Sequence, residues 1–295
     1  MHTLRVTGDP FPRARDGNLV VTYHYVRPAN SPGVTGITPD AFESQLRDIR
    51  ANYEVVTAEE FAALAPTRPG LALITFDDAL LDQYIYAAPI LERLAVPAVF
   101  FAPMRPFAGL RDGWTTQHLL HALADRFGFG ELERLVMPHV RDIRIDREQV
   151  DDLYAYELPE KRTLKWLMAF ALAPDRARKI LSGINEYVGL MHTSWFMSRE
   201  QLLHLQHLGH SIGGHGFEHA PYATLTPKQQ CADMHLAQYW MSRLFGHMPR
   251  QVAYPFGSFD DTTEVLARSA GYTYAHTTSN RTDAKNLGLR PAQAA

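Results

Sequence analysis

Short apolar runs alternate along this chain with longer amphipathic stretches, and this rhythm restricts the fold more than any other feature. The apolar runs are rich in β-branched and aromatic residues, which is typical of buried strands. They predict strands at residues 18–26, 53–56, 71–76, 96–101, 210–213, 251–254 and 272–276. Apolar residues at helical spacing predict helices at residues 39–51, 58–64, 81–94, 198–207, 227–245 and 260–270. Pro89 lies inside the third of these helices and predicts a kink there.

Strands that alternate with helices indicate an α/β fold, in which helices cover the outer side of a parallel sheet. About seven strands of this kind favour a distorted (β/α) barrel, closed or open, over a flat sheet. In such barrels the carboxyl ends of the strands form the active-site face. Polar residues that directly follow a strand are therefore the candidates for chemistry.

Residues 104–195 interrupt the alternation with a long, mostly helical stretch. No change of composition separates this stretch from the rest of the chain. We therefore predict a single domain over residues 1–295, with a helical insertion at residues 104–195 that lies at one mouth of the barrel. The insertion can serve as additional packing, as a lid or as an oligomer interface, and the sequence leaves these alternatives open.

Charge and cysteine content argue against several classes of function. The formal net charge is -3, which gives no electrostatic footprint for nucleic acid. Cys231 is the one cysteine, so no intrachain disulfide can form. No apolar run approaches the length of a membrane span, and the first residues lack the pattern of a secretory signal. We expect a cytoplasmic protein without nucleic-acid partners or a membrane span, and a homo-oligomer stays open.

Two adjacent carboxylates, Asp77 and Asp78, follow the apolar strand LALITF. Adjacent residues of an extended chain point to opposite sides, so the two carboxylates should serve different purposes. One can bind a metal ion while the other acts as a base. The alternative is that one of them only caps the following helix.

Two imidazoles, His215 and His219, lie four residues apart after the strand HSIGG. Such a pair is common at sites for zinc and similar metals. Flanking glycines and Pro221 favour a loop here, and the Glu of a zincin helix is missing. The alternative is a pair of ordinary surface histidines in a chain that has 14 histidines.

A third segment, AYPFGSF at residues 253–259, follows the strand that begins near Gln251. Its Pro and Gly predict a defined turn, whose backbone N–H groups could face an oxyanion. Taken alone, this motif is weakly specific.

Together the three segments resemble the motifs of the polysaccharide deacetylase family, also called NodB-homology or carbohydrate esterase family 4. ITFDDA is similar to the family's TFDDG, GGHGFEH to its H-(S/T)-x-x-H motif, and AYPFGSF to its A-Y-P-Y-G form. The resemblance covers roughly residues 18–103 and 196–290 and leaves out the insertion. It implies a distorted (β/α) barrel of about seven strands that hydrolyses an N-acetyl group.

The resemblance also implies a role for each matching residue. Asp77 matches the general base. The ligands of one divalent metal ion match Asp78, His215 and His219. Zinc is the favoured ion, and cobalt or nickel would suit the same ligands. Phe256 matches the position whose backbone N–H helps to bind the oxyanion.

Two histidines compete for the role of the acid. The segment VVTYHYV is similar to the Y-H strand of a subgroup that includes biofilm poly-N-acetylglucosamine deacetylases, which makes His24 the candidate acid. His276 ends the last predicted strand, which in a closed or nearly closed barrel would lie beside the first. Tyr254 and His276 are also predicted to bind substrate.

Several positions depart from the family pattern. Ala79 replaces the usual Gly, and Gly216 replaces a Ser or Thr, so one hydrogen bond that braces the loop is missing. Ala253 takes the place of the arginine that orients the base, and Arg250 is nearby but out of register. No histidine follows His276. These departures bear on the substrate and the rate more than on the metal site.

The sequence therefore predicts a metal-dependent deacetylase that hydrolyses the N-acetyl group of an amino sugar or a related N-acyl compound. Its partner would be a glycan or a small-molecule substrate. Two alternatives stay open: a catalytically silent carbohydrate-binding module on the same barrel, and an amidohydrolase or O-deacetylase that acts on a small metabolite.

Overall fold

The computed structural model describes residues 17–155 and 157–277. Seven strands form one parallel sheet: β1 Leu19–Tyr23, β2 Glu54–Val55, β3 Leu71–Asp77, β4 Val99–Ala102, β5 Ser211–Gly214, β6 Gln251–Ala253 and β7 Tyr274–His276. Their order is β1-β3-β4-β5-β6-β7, and β2 pairs with β3. Within the described part of the chain β1 and β7 are the two ends of this order, so the barrel is open between them. The prediction of a distorted (β/α) barrel of about seven parallel strands is confirmed.

Eleven α-helices occur in the described residues. Six of them accompany the strands: α1 Pro39–Asn52, α2 Ala58–Leu64, α3 Ala88–Leu94, α9 Arg199–His207, α10 Pro227–Phe245 and α11 Asp261–Ser269. The other five fill the long stretch between β4 and α9: α4 Thr116–Phe127, α5 Phe129–Val136, α6 Arg147–Leu153, α7 Pro159–Trp166 and α8 Pro174–Val188. None of the helices that the structure describes is long and apolar enough to cross a bilayer.

The predicted kink at Pro89 takes the form of a π-helical turn. Gln83–Ala87 forms this turn and continues directly into α3. Proline has no N–H to donate and its ring crowds the carbonyl four residues earlier, so the backbone ahead of it leaves the α-helical hydrogen-bond pattern. The turn places the side chain of Gln83 at the carboxyl ends of β1 and β3, where it contacts the backbone of both strands.

The two faces of the sheet pack in different layers. Phe76 and Phe100 face outward and stack on each other with ring centroids 4.7 Å apart, among the helices of the outer layer. Leu73, Val99 and Phe101 face inward, in the apolar cluster that fills the barrel. Side chains alternate along a strand, so the inward face of β3 ends at Asp77. This alternation directs one of the two carboxylates into the mouth of the barrel.

The inserted helices α4 to α8 build an apolar cluster of their own. Its members include Leu123 of α4 and Leu181 of α8, both fully buried. Tyr25, Leu80 and Phe196, which lie in or beside the barrel, belong to the same cluster. The insertion is therefore packed on the carboxyl-end side of the sheet, against residues that follow β1 and β3.

Candidate metal centre and active site

The ends of β3 and β5 bring three predicted ligands together. Asp78 follows β3, while His215 and His219 lie in the loop that follows β5. Oδ1 of Asp78 is 2.9 Å from Nε2 of His219 and 3.5 Å from Nε2 of His215. One ligand atom from each residue lies within 4.8 Å of the other two, and all three side chains are buried. This spacing suits a single ion held at the common edge of the sheet.

The donor set fits a divalent cation. Nδ1 of His215 is 2.8 Å from the carbonyl oxygen of Ala253, so the neutral ring donates there and directs the bare Nε2 towards Asp78. Burial lowers the pKa of His215 to about 3, which keeps the ring neutral. A lone pair that faces a buried carboxylate oxygen needs a cation between them. Nitrogen and oxygen donors without a thiolate suit zinc, cobalt or nickel.

Neighbouring imidazoles stabilise the ionised form of Asp78. Burial alone would raise the pKa of this carboxyl, but the imidazoles of His118 and His219 hold it well below its usual range. Oδ1 of Asp78 is buried and has no well-aligned hydrogen bond among the described residues. The carboxylate is thus ionised and has one oxygen free for a ligand.

The backbone is strained where these side chains are presented. Asp78, Ala79, His219 and Phe256 all have positive φ angles, of 81°, 52°, 58° and 59°. Residues other than glycine adopt this region at a cost, and such residues cluster at functional sites. Ala79 therefore adopts the conformation for which the family's Gly is suited, and its methyl group is fully buried.

Asp77 lies beside the metal ligands but faces a different partner. Its Oδ2 is 3.7 Å from Nε2 of His24, whose side chain is half-exposed at the mouth. Burial and the adjacent charge of Asp78 raise the pKa of Asp77 well above its usual value. Desolvation in the crowded cleft lowers the pKa of His24. The pair consists of a basic carboxylate and an imidazole that reaches solvent.

The side chain of Gln83 holds Asp77 and His24 at this distance. Its amide nitrogen donates to the carbonyl oxygen of His24 at 2.7 Å and to that of Asp77 at 2.6 Å. Its amide oxygen accepts from the N–H of Leu80 at 3.2 Å. Gln83 is fully buried and joins the ends of β1 and β3 through their backbone carbonyl oxygens.

Asp233 of α10 braces the histidine loop in place of the missing Ser or Thr at position 216. Its carboxylate accepts from the N–H of Phe217 at 2.9 Å, the N–H of Glu218 at 2.8 Å and the hydroxyl of Tyr222 at 2.9 Å. Burial raises the pKa of Asp233. Asp233 of α10 therefore supplies hydrogen bonds to this loop in place of the one expected from a Ser or Thr at position 216.

Phe256 forms a wall of the site together with the insertion. Its ring centroid is 5.0 Å from that of His219 and 5.6 Å from that of Phe170, which lies in the π-helical turn Leu167–Ala171 after α7. The turn at Pro255–Gly257 thus places the ring of Phe256 next to that of His219, and a role of its backbone N–H in binding the oxyanion stays a prediction.

Two predicted substrate-binding residues lie elsewhere, and both predictions need correction. The ring of Tyr254 is buried against Tyr222 and Phe259, in the layer between the sheet and α10 and α11, because it points to the outer face of the sheet. His276 packs on Phe101, with ring centroids 4.9 Å apart, and its Nε2 is 3.2 Å from the side chain of Gln251.

Gln251 begins β6, so the imidazole of His276 points away from the mouth of the barrel. The open edge between β1 and β7 also removes the adjacency on which the competition between His276 and His24 was based. Of the two candidate acids, His24 is the one beside Asp77.

Three polar residues at the site were missed by sequence reasoning: His118, Gln83 and Asp233. Each lies on a helix and contacts at least one residue that is distant along the chain, and none belongs to a recognised motif. Thr115 caps α4 and contacts His118, but this spacing is ordinary at the start of a helix. No signal in the sequence distinguishes these side chains from other buried polar residues.

Residues 180–275 match the sequence profile of the family described as polysaccharide deacetylase. This range includes both histidine ligands and the turn at Phe256. A comparison with curated proteins gives no match.

Solved structures of several deacetylases are similar to most of the chain. IcaB from Ammonifex degensii is 20% identical with a TM-score of 0.54, over 88% of this chain and 83% of that one. The Streptococcus pyogenes deacetylase PplD in complex with acetate is 16% identical with a TM-score of 0.53, over 89% and 83%. A de-N-acetylase from Aggregatibacter actinomycetemcomitans is 15% identical with a TM-score of 0.51, over 88% and 87%. At these identities the likeness concerns the fold.

Proposed function

We propose that this chain is a member of the polysaccharide deacetylase family, whose profile residues 180–275 match, and that it is a metal-dependent hydrolase that removes the acetyl group from an N-acetylated amino sugar or a related N-acyl compound. The observation that carries the proposal is that the two adjacent carboxylates at the end of β3 face different groups. Asp78, His215 and His219 converge on one point, while Asp77 faces His24. A site that only bound sugar would need neither arrangement.

The residues around the cleft account for the steps of amide hydrolysis. Asp78, His215 and His219 would hold the ion, which when bound polarises the carbonyl of the substrate. Asp77, with its raised pKa, accepts the proton of the attacking water. The N–H of Phe256 donates to the oxygen that becomes negatively charged. His24 gives a proton to the departing amine, without which an amine is a poor leaving group.

Two solved structures support acetyl as the group removed. One is a de-N-acetylase, and PplD was solved with acetate, which is the product that acetyl hydrolysis would release. Zinc as the native ion, a cytoplasmic location and a homo-oligomer stay predictions.

The test is acetate release across a substrate panel by protein loaded with zinc, cobalt or nickel. The panel contains N-acetylglucosamine oligomers, nucleotide-linked acetamido sugars, small N-acyl amines and the corresponding acetate esters. We expect turnover of at least one acetamido sugar, and its loss in Asp77→Asn and after chelation. Hydrolysis of esters alone would favour an O-deacetylase. Sugar binding without turnover in any metal-loaded form would favour a silent binding module and contradict the proposal.

A further inference from the structure

The insertion places a buried imidazole beside the second carboxylate oxygen of Asp78. Nε2 of His118, in α4, is 3.2 Å from Oδ2 of Asp78, and this buried nitrogen has no well-aligned hydrogen bond among the described residues. The two side chains are only 1% and 5% exposed, so water does not screen the contact. Asp78 therefore contacts both the histidines of the barrel and a histidine of the inserted helices.

The two oxygens of Asp78 have different partners. Oδ1 faces Nε2 of His215 and of His219, whereas Oδ2 faces His118. In the described residues, the group whose ligand atoms are all within 4.8 Å of one another contains Asp78, His215 and His219 but not His118. An ion at the centre of that group would be bound through Oδ1, and Oδ2 would remain for a hydrogen bond.

Thr115 determines which nitrogen of His118 carries the proton. Its Oγ1 is 2.6 Å from Nδ1 of His118 and also accepts from the backbone N–H of His118 at 3.4 Å. The hydroxyl hydrogen of Thr115 is then free to donate to Nδ1. A neutral imidazole that accepts at Nδ1 carries its hydrogen at Nε2, which is the nitrogen beside Asp78.

Neighbouring rings restrict the orientation of His118. The ring of Phe196 lies with its centroid 5.0 Å away at an interplanar angle of 71°, and the ring of His219 lies 5.5 Å away at 65°. The cap from Thr115 fixes the start of α4, and these edge contacts fix the plane of the imidazole. These contacts restrict the ring of His118 to one orientation.

We propose that His118 is a positioning residue of the metal centre, which donates from Nε2 to Oδ2 of Asp78 and so directs Oδ1 towards the ion. The inference rests on the proposed metal site and adds the insertion to it. Outer partners of this kind orient the ligand and tune its affinity for metal, and their loss typically weakens metal binding about 10- to 100-fold. In this account α4 is a part of the metal centre and more than additional packing.

The test is the dissociation constant for Zn²⁺ and Co²⁺, measured without turnover by competition with a chelating indicator. We expect His118→Ala and His118→Asn to bind each ion about 10- to 100-fold more weakly than the parent. His118→Gln should bind nearly as tightly, because its amide nitrogen reaches the position of Nε2 while that of Asn does not. If the Ala variant fails to fold, the comparison of Asn with Gln still decides.

A matched control comes from the same helix. His121 is buried in α4 and contacts Tyr25, with Nδ1 2.9 Å from its hydroxyl, but its ring nitrogens do not face the carboxylate of Asp78. His121→Gln should leave the metal affinity unchanged. Thermal unfolding of all metal-free variants separates a loss of affinity from a loss of the fold.

Three results would overturn the inference. Unchanged affinity in His118→Ala would show that the contact does not support Asp78. X-ray absorption of the Co²⁺-loaded parent that counts three histidine ligands, and two in His118→Gln, would make His118 a ligand instead of a positioning residue. A parent protein that binds neither ion would overturn the proposed metal-dependent function as well, whereas the first two results leave that function intact.

Discussion

The backbone at Gly216 has no room for the hydroxyl-bearing residue that the family's second motif carries. Its φ is +72°, and a Cβ there would lie 2.9 Å from Oδ2 of Asp233 and 2.9 Å from the hydroxyl of Tyr222. Asp233 occupies the space that a Ser or Thr side chain would need. Gly216 and Asp233 together therefore replace the hydrogen bond that a Ser or Thr at position 216 would make.

Restoring the family's residue should damage this protein. We expect Gly216→Ser to lower the free energy of unfolding by at least about 1–2 kcal/mol, the cost of a left-handed conformation for a residue with a Cβ. Urea unfolding of the metal-free protein measures this. Gly130→Ser is the control for adding the side chain alone, because Gly130 lacks a left-handed φ and a Cβ there meets no atom within 4 Å. Equal stability of the parent and Gly216→Ser would show that Asp233 is not the brace.

Asp77 should destabilise the metal-free protein at neutral pH. Its pKa is raised by burial and by Asp78, so the folded state binds the proton more tightly than the unfolded chain does. That advantage is complete below the ordinary carboxyl pKa of about 3.9 and is lost as pH rises through the raised value. Metal-free Asp77→Asn should therefore be more stable than the parent at about pH 7, and the difference should shrink towards about pH 4.

The same variant should lose about 10²- to 10⁴-fold in the rate of acetate release while it keeps its metal, if Asp77 is the base. Near-normal turnover in Asp77→Asn would exclude that role. Asp78→Asn gives the contrasting result, because the loss of a ligand should remove both metal and activity.

His24 should determine the alkaline limb of the pH–rate profile. A general acid works only while it is protonated. Desolvation lowers the pKa of His24, so the rate should begin to decline at a pH below about 6.5, the pKa of a free imidazole. His24→Ala should abolish the limb, cripple amide substrates and partly spare activated acetate esters. His276→Ala, which removes a buried histidine that points away from the mouth, should leave the profile unchanged. The reverse pattern would assign the acid to His276.

At the scale of elements, the π-helical turn before α3 connects the fold to the site through Gln83. Gln83→Leu would leave the buried carbonyl oxygen of Asp77 and the part-buried carbonyl oxygen of His24 without this donor. We expect a loss of about 1–3 kcal/mol in the free energy of unfolding, the cost of one buried acceptor left unsatisfied, because water can still reach the other. Gln83→Glu should not rescue the stability at neutral pH, because a carboxylate cannot donate. Full stability of either variant would contradict the role of Gln83 in joining the ends of β1 and β3.

The bounds of single elements were predictable wherever local chemistry sets them. Helix α10 spans the predicted residues 227–245, because Thr226 and Gln229 form a capping box at its start and Gly246 takes a left-handed conformation at its end. The π-helical turn was not predictable in its details. Pro89 indicates a distortion, but the pairing of Gln83 with two strand ends depends on contacts between distant parts of the chain.

Some contacts of the candidate site were predictable from the sequence, and others were not. The carboxyl ends of parallel strands meet at one edge, so the proximity of Asp78 to His215 followed from the sequence pattern. The position of His118 did not, because it depends on how the insertion packs onto the barrel. Tyr254 was misplaced because the turn after β6 turns its ring towards α10 and α11.

At the scale of the whole molecule, the barrel and the insertion both contribute residues to the candidate metal centre. The barrel supplies the three ligands and Asp77, while the insertion supplies His118 and the ring of Phe170. This arrangement links the stability of the insertion to occupancy of the metal site. Metal binding should therefore raise the midpoint of thermal unfolding, by an amount that grows with free metal concentration above the dissociation constant.

The central claim is tested most directly by acetate release during a metal titration of the stripped protein on its best acetamido-sugar substrate. The account predicts no release in the presence of chelator, a rise in rate in proportion to added Zn²⁺, Co²⁺ or Ni²⁺, and a break at one equivalent per chain. Turnover by the stripped protein equal to that of the reloaded protein would contradict it.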